Sequence, residues 1–562
     1  MKNHEVADLL DRLGEVAEAA GEDRFKVVAY HRAATSIRNM DDDVEELWRR
    51  QQLEEIKFVG GGIARKIDEY LRTGRLRMLD DLAAKVPPGV PLLTKVQGIG
   101  PRTALRLSRD LGVNSVEELK KALEEGRLDS EFGAGVRESF LTGIRRLESF
   151  GKRMLLPEAE GTFRKMEAYF GALGMEVRMA GSLRRGKETV GDIDLLSADP
   201  RATDALTGCP GAAQVLEKGA KRASVKLQDG VQVDLRVFGA EELGAALVYF
   251  TGSKDHNVAL RSLALERGWK LNEYGLFGKE GGRLAGDDEA GIYAKLGLQP
   301  IPPELREARG EIEAAGDGRL PHLVRLEELK GDLQMHTTWS DGGAELEQMA
   351  RAAKARGYEY IGVTDHSVSV RVANGLTEER FRKQWKEIDR INEEMAPFRI
   401  LKSVEMEIRA DGTLDFGREF LRGFDLVGAS LHQNFGQDAD SLTERVVRAL
   451  SNPEVDFLCH PTNRLFGRRE GNPIDMERVI ATARANGKML EIDGEPRRLD
   501  LNDVWARRAM QEGVPLLIDS DAHAVGELDN VVYGILVARR AWGEAKDIAN
   551  TLPADGLLSV VS

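Results

Sequence analysis

Apolar residues recur along this chain with two different periods, and the change of period divides it. Over residues 1 to about 85 they fall at helical spacing, as in EVADLLDRLGEVAEAAG and VEELWRRQQLEEI, which predicts short amphipathic helices. Two segments then share one form: VGGGIARKI at 59–67 and VQGIGPRTALRL at 96–107 each turn on glycines and start a new helix. Such a turn exposes backbone N–H groups at a helix N-terminus, where a phosphate fits. Gly60, Gly62, Gly98 and Gly100 therefore mark two candidate helix-hairpin-helix clamps, and the repetition makes a mere packed turn the weaker explanation. From about 152, EVRMAGSLRRG and GDIDLLSA read as strand, Gly-Ser turn and strand, and VQVDLRVF alternates cleanly. Residues 152–258 are thus expected to be α/β with a mainly antiparallel sheet, and 259–299 to mix helix with short strands. PIPPELREARGEIEAAGDGRLPHL is rich in proline, glycine and charge and predicts a linker over 300–328, allowing the C-terminal segment to move. Beyond 329 the apolar runs YIGVTDH, LVGASLH, FLCHP, MLEIDG and PLLIDSDAH alternate with helical patterns, and each ends in polar residues. That is the form of a β/α barrel with its chemistry at the C-terminal strand ends.

Length and composition change this picture little. A chain of 562 residues exceeds a single core. Hydrophobic residues at 42% and charged residues at 31% are ordinary for a globular protein, and no apolar run reaches the roughly 18–20 residues of a membrane span. The N-terminus lacks the basic start and apolar centre of a signal peptide. Cys209 and Cys459 are too few for a disulfide framework, which fits a reducing cytoplasm. The net charge of −14 decides nothing, because nucleic acid needs only a local basic surface and carboxylate-rich metal sites would account for part of the acidity.

The first candidate centre is carboxylate. Asp192 and Asp194 in GDIDLL are two apart, so on a strand they share a face. Asp234 in QVDLR adds a third carboxylate from a second strand. Three crowded carboxylates suit hard divalent cations, and two ions about 4 Å apart can activate a hydroxyl and steady a leaving phosphate. Upstream, GSLRRG (181–186) offers a glycine turn, a hydroxyl and two guanidiniums, all donors to a triphosphate.

The second candidate centre is mixed. Five of the nine histidines lie past residue 330, each in a short polar segment at the end of a predicted strand. His336, His366, His432, His460 and His523, with Asp341, Glu405 and Asp521, form an imidazole and carboxylate set that suits Zn²⁺, Mn²⁺ or Fe²⁺. More than four ligands implies two or three ions, and such sites hydrolyse phosphoesters.

The block GSLRRGKETVGDIDLL, then VDLRVF, then YFTGSKDHNVALR (249–261), resembles the palm and fingertip motifs of family X DNA polymerases, with the two glycine hairpins where that family places its DNA-binding ones. The segment after 329 resembles the polymerase-and-histidinol-phosphatase (PHP) domain fused to such polymerases in many bacteria. The resemblance covers nearly the whole chain. It implies a helical lyase-like domain at 1–85, a second hairpin subdomain at 86–151, a palm at 152–258, a thumb-type subdomain at 259–299 and a distorted seven-stranded β/α barrel at 329–562. It implies that Asp192 and Asp194 bridge two Mg²⁺ or Mn²⁺ ions and that Asp234 binds one of them and assists the primer hydroxyl. Gly181, Ser182, Arg185 and Gly191 would hold the triphosphate. Tyr249, Phe250 and Gly252 would pack on the sugar, and Asn257 and Arg261 would meet the nascent base pair. Lys66 falls on the family's lyase nucleophile, although Phe58 stands where the first hairpin's glycine is expected. For the barrel the resemblance implies a trinuclear site with Mn²⁺-stimulated 3′–5′ exonuclease and abasic-site endonuclease activity. The PHP pattern opens H-x-H, but here it is Gln334-x-His336. Eight of nine ligand positions remain, and one of the three ions is expected to be loosely held or absent.

The expected partners are gapped or primed duplex DNA, dNTPs and other repair proteins, with no membrane. Three other readings stand beside this one: a repair nuclease whose polymerase half only grips DNA, a scaffold on gapped DNA, and a template-independent transferase sharing the GS…DxD core.

Overall fold

The computed structural model describes residues 2–561 apart from Gly21, Asn39, Asp41, Pro88, Lys95, Gln97, Gly151 and Lys152. The expected domain boundary at 151–152 falls on residues outside those described. The N-terminal region is helical. Helices Asn3–Ala19 and Arg24–Arg38 pack on each other, and Gly61–Thr73 and Pro101–Arg109 follow the two glycine turns. None of these helices can bury its apolar stripe alone. They share one apolar cluster running from Val6 to Ile144, across the expected division at 85. The region also touches the C-terminal part, where the Lys57 ammonium donates to the Ser340 carbonyl at 2.7 Å.

Next comes a five-stranded sheet in the order Arg178–Met179, Ile193–Ser197, Gln232–Val237, Arg222–Leu227, Ala212–Lys218. All neighbours are antiparallel except Ile193–Ser197 with Gln232–Val237, whose parallel register sets Asp194 opposite Asp234. The predicted turn at Gly181 is instead a short helix, Gly181–Arg184. Gly181 adopts φ +65°, and a Cβ there would run into the Asp194 carboxylate, so only glycine fits. Helices Leu243–Thr251 and Lys254–Glu266, a three-stranded antiparallel sheet and helix Glu289–Lys295 complete this part of the chain.

The predicted linker at 300–328 is corrected by the structure. It forms the 3₁₀ turn Pro303–Leu305 and the helix Glu311–Gly316, and it buries Ile301, Leu305, Arg306, Glu311 and Val324. Its composition misleads because its charges are paired across the molecule: Arg306 with Glu289 at 2.7 Å, Glu311 with His256 at 2.6 Å, and Arg309 with Asp503 at 3.1 Å. Proline and glycine here shape packed turns.

The C-terminal region holds seven parallel strands in chain order, from Gly331–Asp332 to Leu516–Asp519. A parallel bridge between Met335 and Ala522 brings the last strand back to the first, giving a nearly closed barrel. Alternate residues line its interior. Leu401, Met489 and Leu517 belong to one apolar cluster there. Two to four residues further along the same strands stand Glu405, Glu491 and Asp519, all buried. The lumen therefore changes from apolar to acidic toward the C-terminal strand ends. Among the described residues no helix is long and apolar enough to cross a membrane.

Candidate active sites

The three aspartates of the first centre gather at one end of the five-stranded sheet. Asp194 lies on strand Ile193–Ser197 and Asp234 on Gln232–Val237, while Asp192 sits just before its strand begins. Burial, then Asp192, drives Asp194 up to about 6, with Arg236 opposing at 3.4 Å. Asp192 is raised by burial and by Asp234. Gln232 donates to Asp234 at 3.0 Å. Half-buried carboxylates that resist one another's ionisation form a donor set for hard divalent cations, and the residues present fit that group.

The nucleotide motif adjoins them. Gly181 lies against Asp194, and four residues on Arg185 reaches the next element, its Nε 3.0 Å from Glu307 and its Nη1 donating to the Thr251 carbonyl. Gly252 has φ +69° and ψ −148°, and a Cβ there would stand 3.3 Å from the Arg185 guanidinium. The backbone conformation is what requires glycine, and the guanidinium makes the site tighter still. Tyr249 and Phe250 end the preceding helix with ring centroids 5.0 Å apart, and Arg236 lies over Phe250 at 4.4 Å. Asn257 donates to the Tyr249 carbonyl at 2.6 Å, and Arg261 to the Asn257 carbonyl at 3.3 Å. The structure thus brings together Gly181, Arg185, Tyr249, Phe250, Gly252 and Asn257, with Ser182 on the same short helix. Gly191 precedes Asp192 directly.

The two hairpins superpose in dihedral terms. Gly98 has φ +88° and Phe58 φ +64°, while Gly100 and Gly60 both cap their helices with ψ near 168°. Phenylalanine in the left-handed region is strained by about 1 kcal/mol or more. Lys57 and Arg32 lie over its ring at 5.2 and 5.5 Å, which offsets part of that. Lys66 donates to the Gly62 carbonyl at 3.0 Å and lies over the Tyr30 ring at 5.5 Å. Burial, then Arg65 and Lys26, lowers its pKa, favouring the free amine.

The second centre is gathered at the acidic end of the barrel. Glu405 is its hub: His460, His366, His432 and His336 approach its carboxylate at 2.7, 3.1, 3.1 and 3.5 Å. Asp521 meets His336 at 3.1 Å, and Asp341 meets His366 and His523 at 3.6 and 3.7 Å. His336, Asp341, His366 and His523 converge closely enough for one ion, and His366, Glu405 and His432 for another. Burial opposes charge on the His336, His366, His432 and His460 rings. On His336 it is outweighed by Asp521 and Glu405, which lift it to about 9, and His366 falls to about 3. Both polar side-chain atoms of Gln334 are fully buried without a hydrogen-bond partner, as are His336 Nδ1 and His460 Nδ1. Unsatisfied buried donors and acceptors around converging carboxylates fit bound cations.

Some supporting residues escaped the sequence reading. Glu407 accepts from His432 Nδ1 at 3.0 Å, orienting that ring. Asp365 accepts from the Thr337 and Ser340 backbone and so shapes the loop leading to Asp341. Arg498 lies 3.5 Å from both Asp493 and Asp521. The alternation of acids at Glu405 and Glu407, Glu491 and Asp493, and Asp519 and Asp521 was the available signal. Arg185's ties to Glu307 and Arg540 had none.

A nucleotidyl-transfer palm joined to a barrel whose strand ends gather histidines and carboxylates is the class that this fold and these sites define. Comparison with known proteins agrees. Family models match as a helix-hairpin-helix domain over residues 1–76, a SAM-like helix-hairpin-helix tandem over 90–129, a DNA polymerase beta thumb over 246–307 and a PHP domain over 332–558. The chain is 37% identical over 560 residues to the DNA polymerase/3′-5′ exonuclease PolX of Bacillus subtilis (strain 168), covering 98% of this chain and 97% of that one. A probable phosphatase of Acetivibrio thermocellus is 32% identical over 212 residues, 36% of this chain and 83% of the phosphatase. The chain belongs to the PolX family, the bacterial family X DNA polymerases that carry a PHP domain.

Proposed function

We propose that this chain is a template-directed DNA polymerase that fills gaps during repair and removes nucleotides 3′ to 5′ with its barrel. The observation that carries the first half is continuity: Asp194 faces Asp234 across a parallel register, Gly181 lies against Asp194, and Arg185 spans from that helix to Thr251 and Gly252. Asp192, Asp194 and Asp234 would hold the divalent cations, and Asp234 would also assist the primer hydroxyl. Ser182 and Arg185 bind the triphosphate. Gly252 leaves room for the sugar, which Tyr249 and Phe250 pack against, and Arg261 reaches toward the template. In the barrel, Gln334, His336, Asp341, His366, Glu405, His432, His460, Asp521 and His523 hold the ions, two or three of Mn²⁺, Zn²⁺ or Fe²⁺. Bound cations supply Lewis acidity, Mg²⁺ or Mn²⁺ at the palm for transfer and the barrel ions for hydrolysis. Gly60, Gly62, Gly98 and Gly100 grip the DNA backbone, and the chain acts in the cytoplasm, where DNA and dNTPs are found.

The test is a gapped duplex in which only the template base opposite the gap is varied. Incorporation that tracks that base is expected. Incorporation indifferent to it would favour the template-independent transferase. Lys66 is proposed as a lyase nucleophile on its lowered pKa and partial burial. Borohydride is expected to trap a covalent adduct with abasic DNA in the wild type and not in Lys66→Ala. Equal trapping in both would remove Lys66 from the chemistry.

A further inference from the structure

The nucleotide motif does not end at the palm. Of residues 185–188, Arg185, Gly186 and Glu188 lie against the C-terminal region, and Lys187 lies against the segment that precedes it. The Arg185 carbonyl accepts from Arg540 Nη1 at 2.8 Å. A Cβ on Gly186 would stand 3.4 Å from Leu536. Lys187 Nζ lies 3.5 Å from Glu307, and Glu188 pairs with Arg464 at 2.6 Å. Arg540 and Leu536 belong to helix Val531–Arg540, which packs on the barrel strands Met489–Asp493 and Leu516–Asp519.

Arg540 is the centre of this joint. Its side chain is 1% exposed. Nη1 serves both the Arg185 carbonyl and Glu307, the latter at 3.1 Å, and Nη2 donates to Asp503 at 2.7 Å. Glu307 in turn accepts from Arg185 Nε at 3.0 Å. One barrel guanidinium thus holds Arg185 twice, by its backbone directly and by its side chain through Glu307. Arg185 Nη1 is held by the Thr251 carbonyl, so the plane of its guanidinium is set before any nucleotide arrives. The local charge is also unbalanced. Arg185, Lys187, Arg309 and Arg540 are four cations gathered about two carboxylates, Glu307 and Asp503. A half-buried cluster with surplus positive charge beside a triphosphate cradle favours an anion there.

We infer that Arg540 of the nuclease barrel is a positioning residue of the polymerase, fixing Arg185 for the triphosphate of the incoming nucleotide through Glu307 and the Arg185 carbonyl. The barrel is then a structural part of the polymerase's nucleotide site as well as a second active site. This rests on the reading of Arg185 as a triphosphate ligand.

Breaking one partner of a buried charge-assisted pair has large consequences, and an arginine fork is poorly replaced by an apolar chain. In full-length enzyme on gapped DNA, Arg540→Met is expected to raise KM for the dNTP about tenfold or more while kcat changes by less than about threefold, the pattern of lost binding. Arg540→Lys keeps the charge and is expected to recover part of that loss. Glu307→Ala breaks the same link from its other end, outside the barrel, and is expected to raise KM similarly, which keeps the test decisive if Arg540→Met does not fold. Arg185→Met is the control. If it raises KM while folded Arg540→Met or Glu307→Ala leaves KM at the wild-type value, the positioning role is overturned. If Arg185→Met itself leaves KM unchanged, the triphosphate reading falls, and the inference with it.

Discussion

Asp192→Ala is expected to abolish primer extension on gapped DNA, by about 1,000-fold or more, without weakening DNA binding. Asp192 is raised by burial and by Asp234, so this cluster already sits near the limit of the negative charge it can hold without cations. Removing one carboxylate leaves Asp194 and Asp234 with too few ligands to hold two ions in register. The expected result is loss of kcat at every dNTP concentration, because the missing interaction is made in the transition state rather than with bound substrate. Single-turnover extension in Mg²⁺ and in Mn²⁺ checks this, with a gel-shift titration to confirm that the gapped duplex is still bound. Extension that survives in either metal would place the chemistry elsewhere.

The second expected result concerns the barrel and is best measured in the same Asp192→Ala background, where primer shortening is not masked by synthesis. Glu405→Gln is expected to reduce Mn²⁺-dependent 3′–5′ shortening at least 100-fold. Loss of a residue that merely supports a metal ligand already costs about 10–100-fold, and Glu405 is the carboxylate on which four histidines converge. The glutamine keeps the shape and removes the charge, so an intact thermal transition with lost shortening separates chemistry from folding. Gln334→His supplies the opposite test. Gln334 is fully buried with both side-chain atoms unpartnered, so an imidazole there gains a stronger metal contact and is expected to raise affinity for one ion. Shortening unchanged by Glu405→Gln would remove the barrel from the nuclease activity altogether.

Periodicity reported the barrel well because each strand carries its own evidence. Apolar residues fill its lower lumen and acidic residues stand two to four positions later on the same strands, with the candidate ligands at or just past the strand ends, so a local reading finds both. The hairpins were legible for the same reason, since Gly98 is required by its own dihedral, and the departure at Phe58, which takes the same left-handed region at φ +64°, shows in the sequence itself. The turn at Gly181 was misjudged. Nothing local announces that Asp194, thirteen residues later, crowds its Cα and that the chain answers with a short helix. The segment 300–328 failed in the opposite direction. Its proline, glycine and charge resemble a linker, but charge is flexible only where it is unpaired, and here Arg306, Glu311 and Arg309 meet Glu289, His256 and Asp503.

By itself, then, the sequence determined the architecture and pointed to the candidate donors that gather at each centre, because donor side chains and the spacing of strand and helix are local properties. Only the tertiary structure decided which groups join the two halves of the chain. Arg540 lies 355 residues from Arg185, and Arg464 lies 276 from Glu188. Their pairing depends on how two separately folded layers pack, and a buried charge reveals its partner only when both have left water.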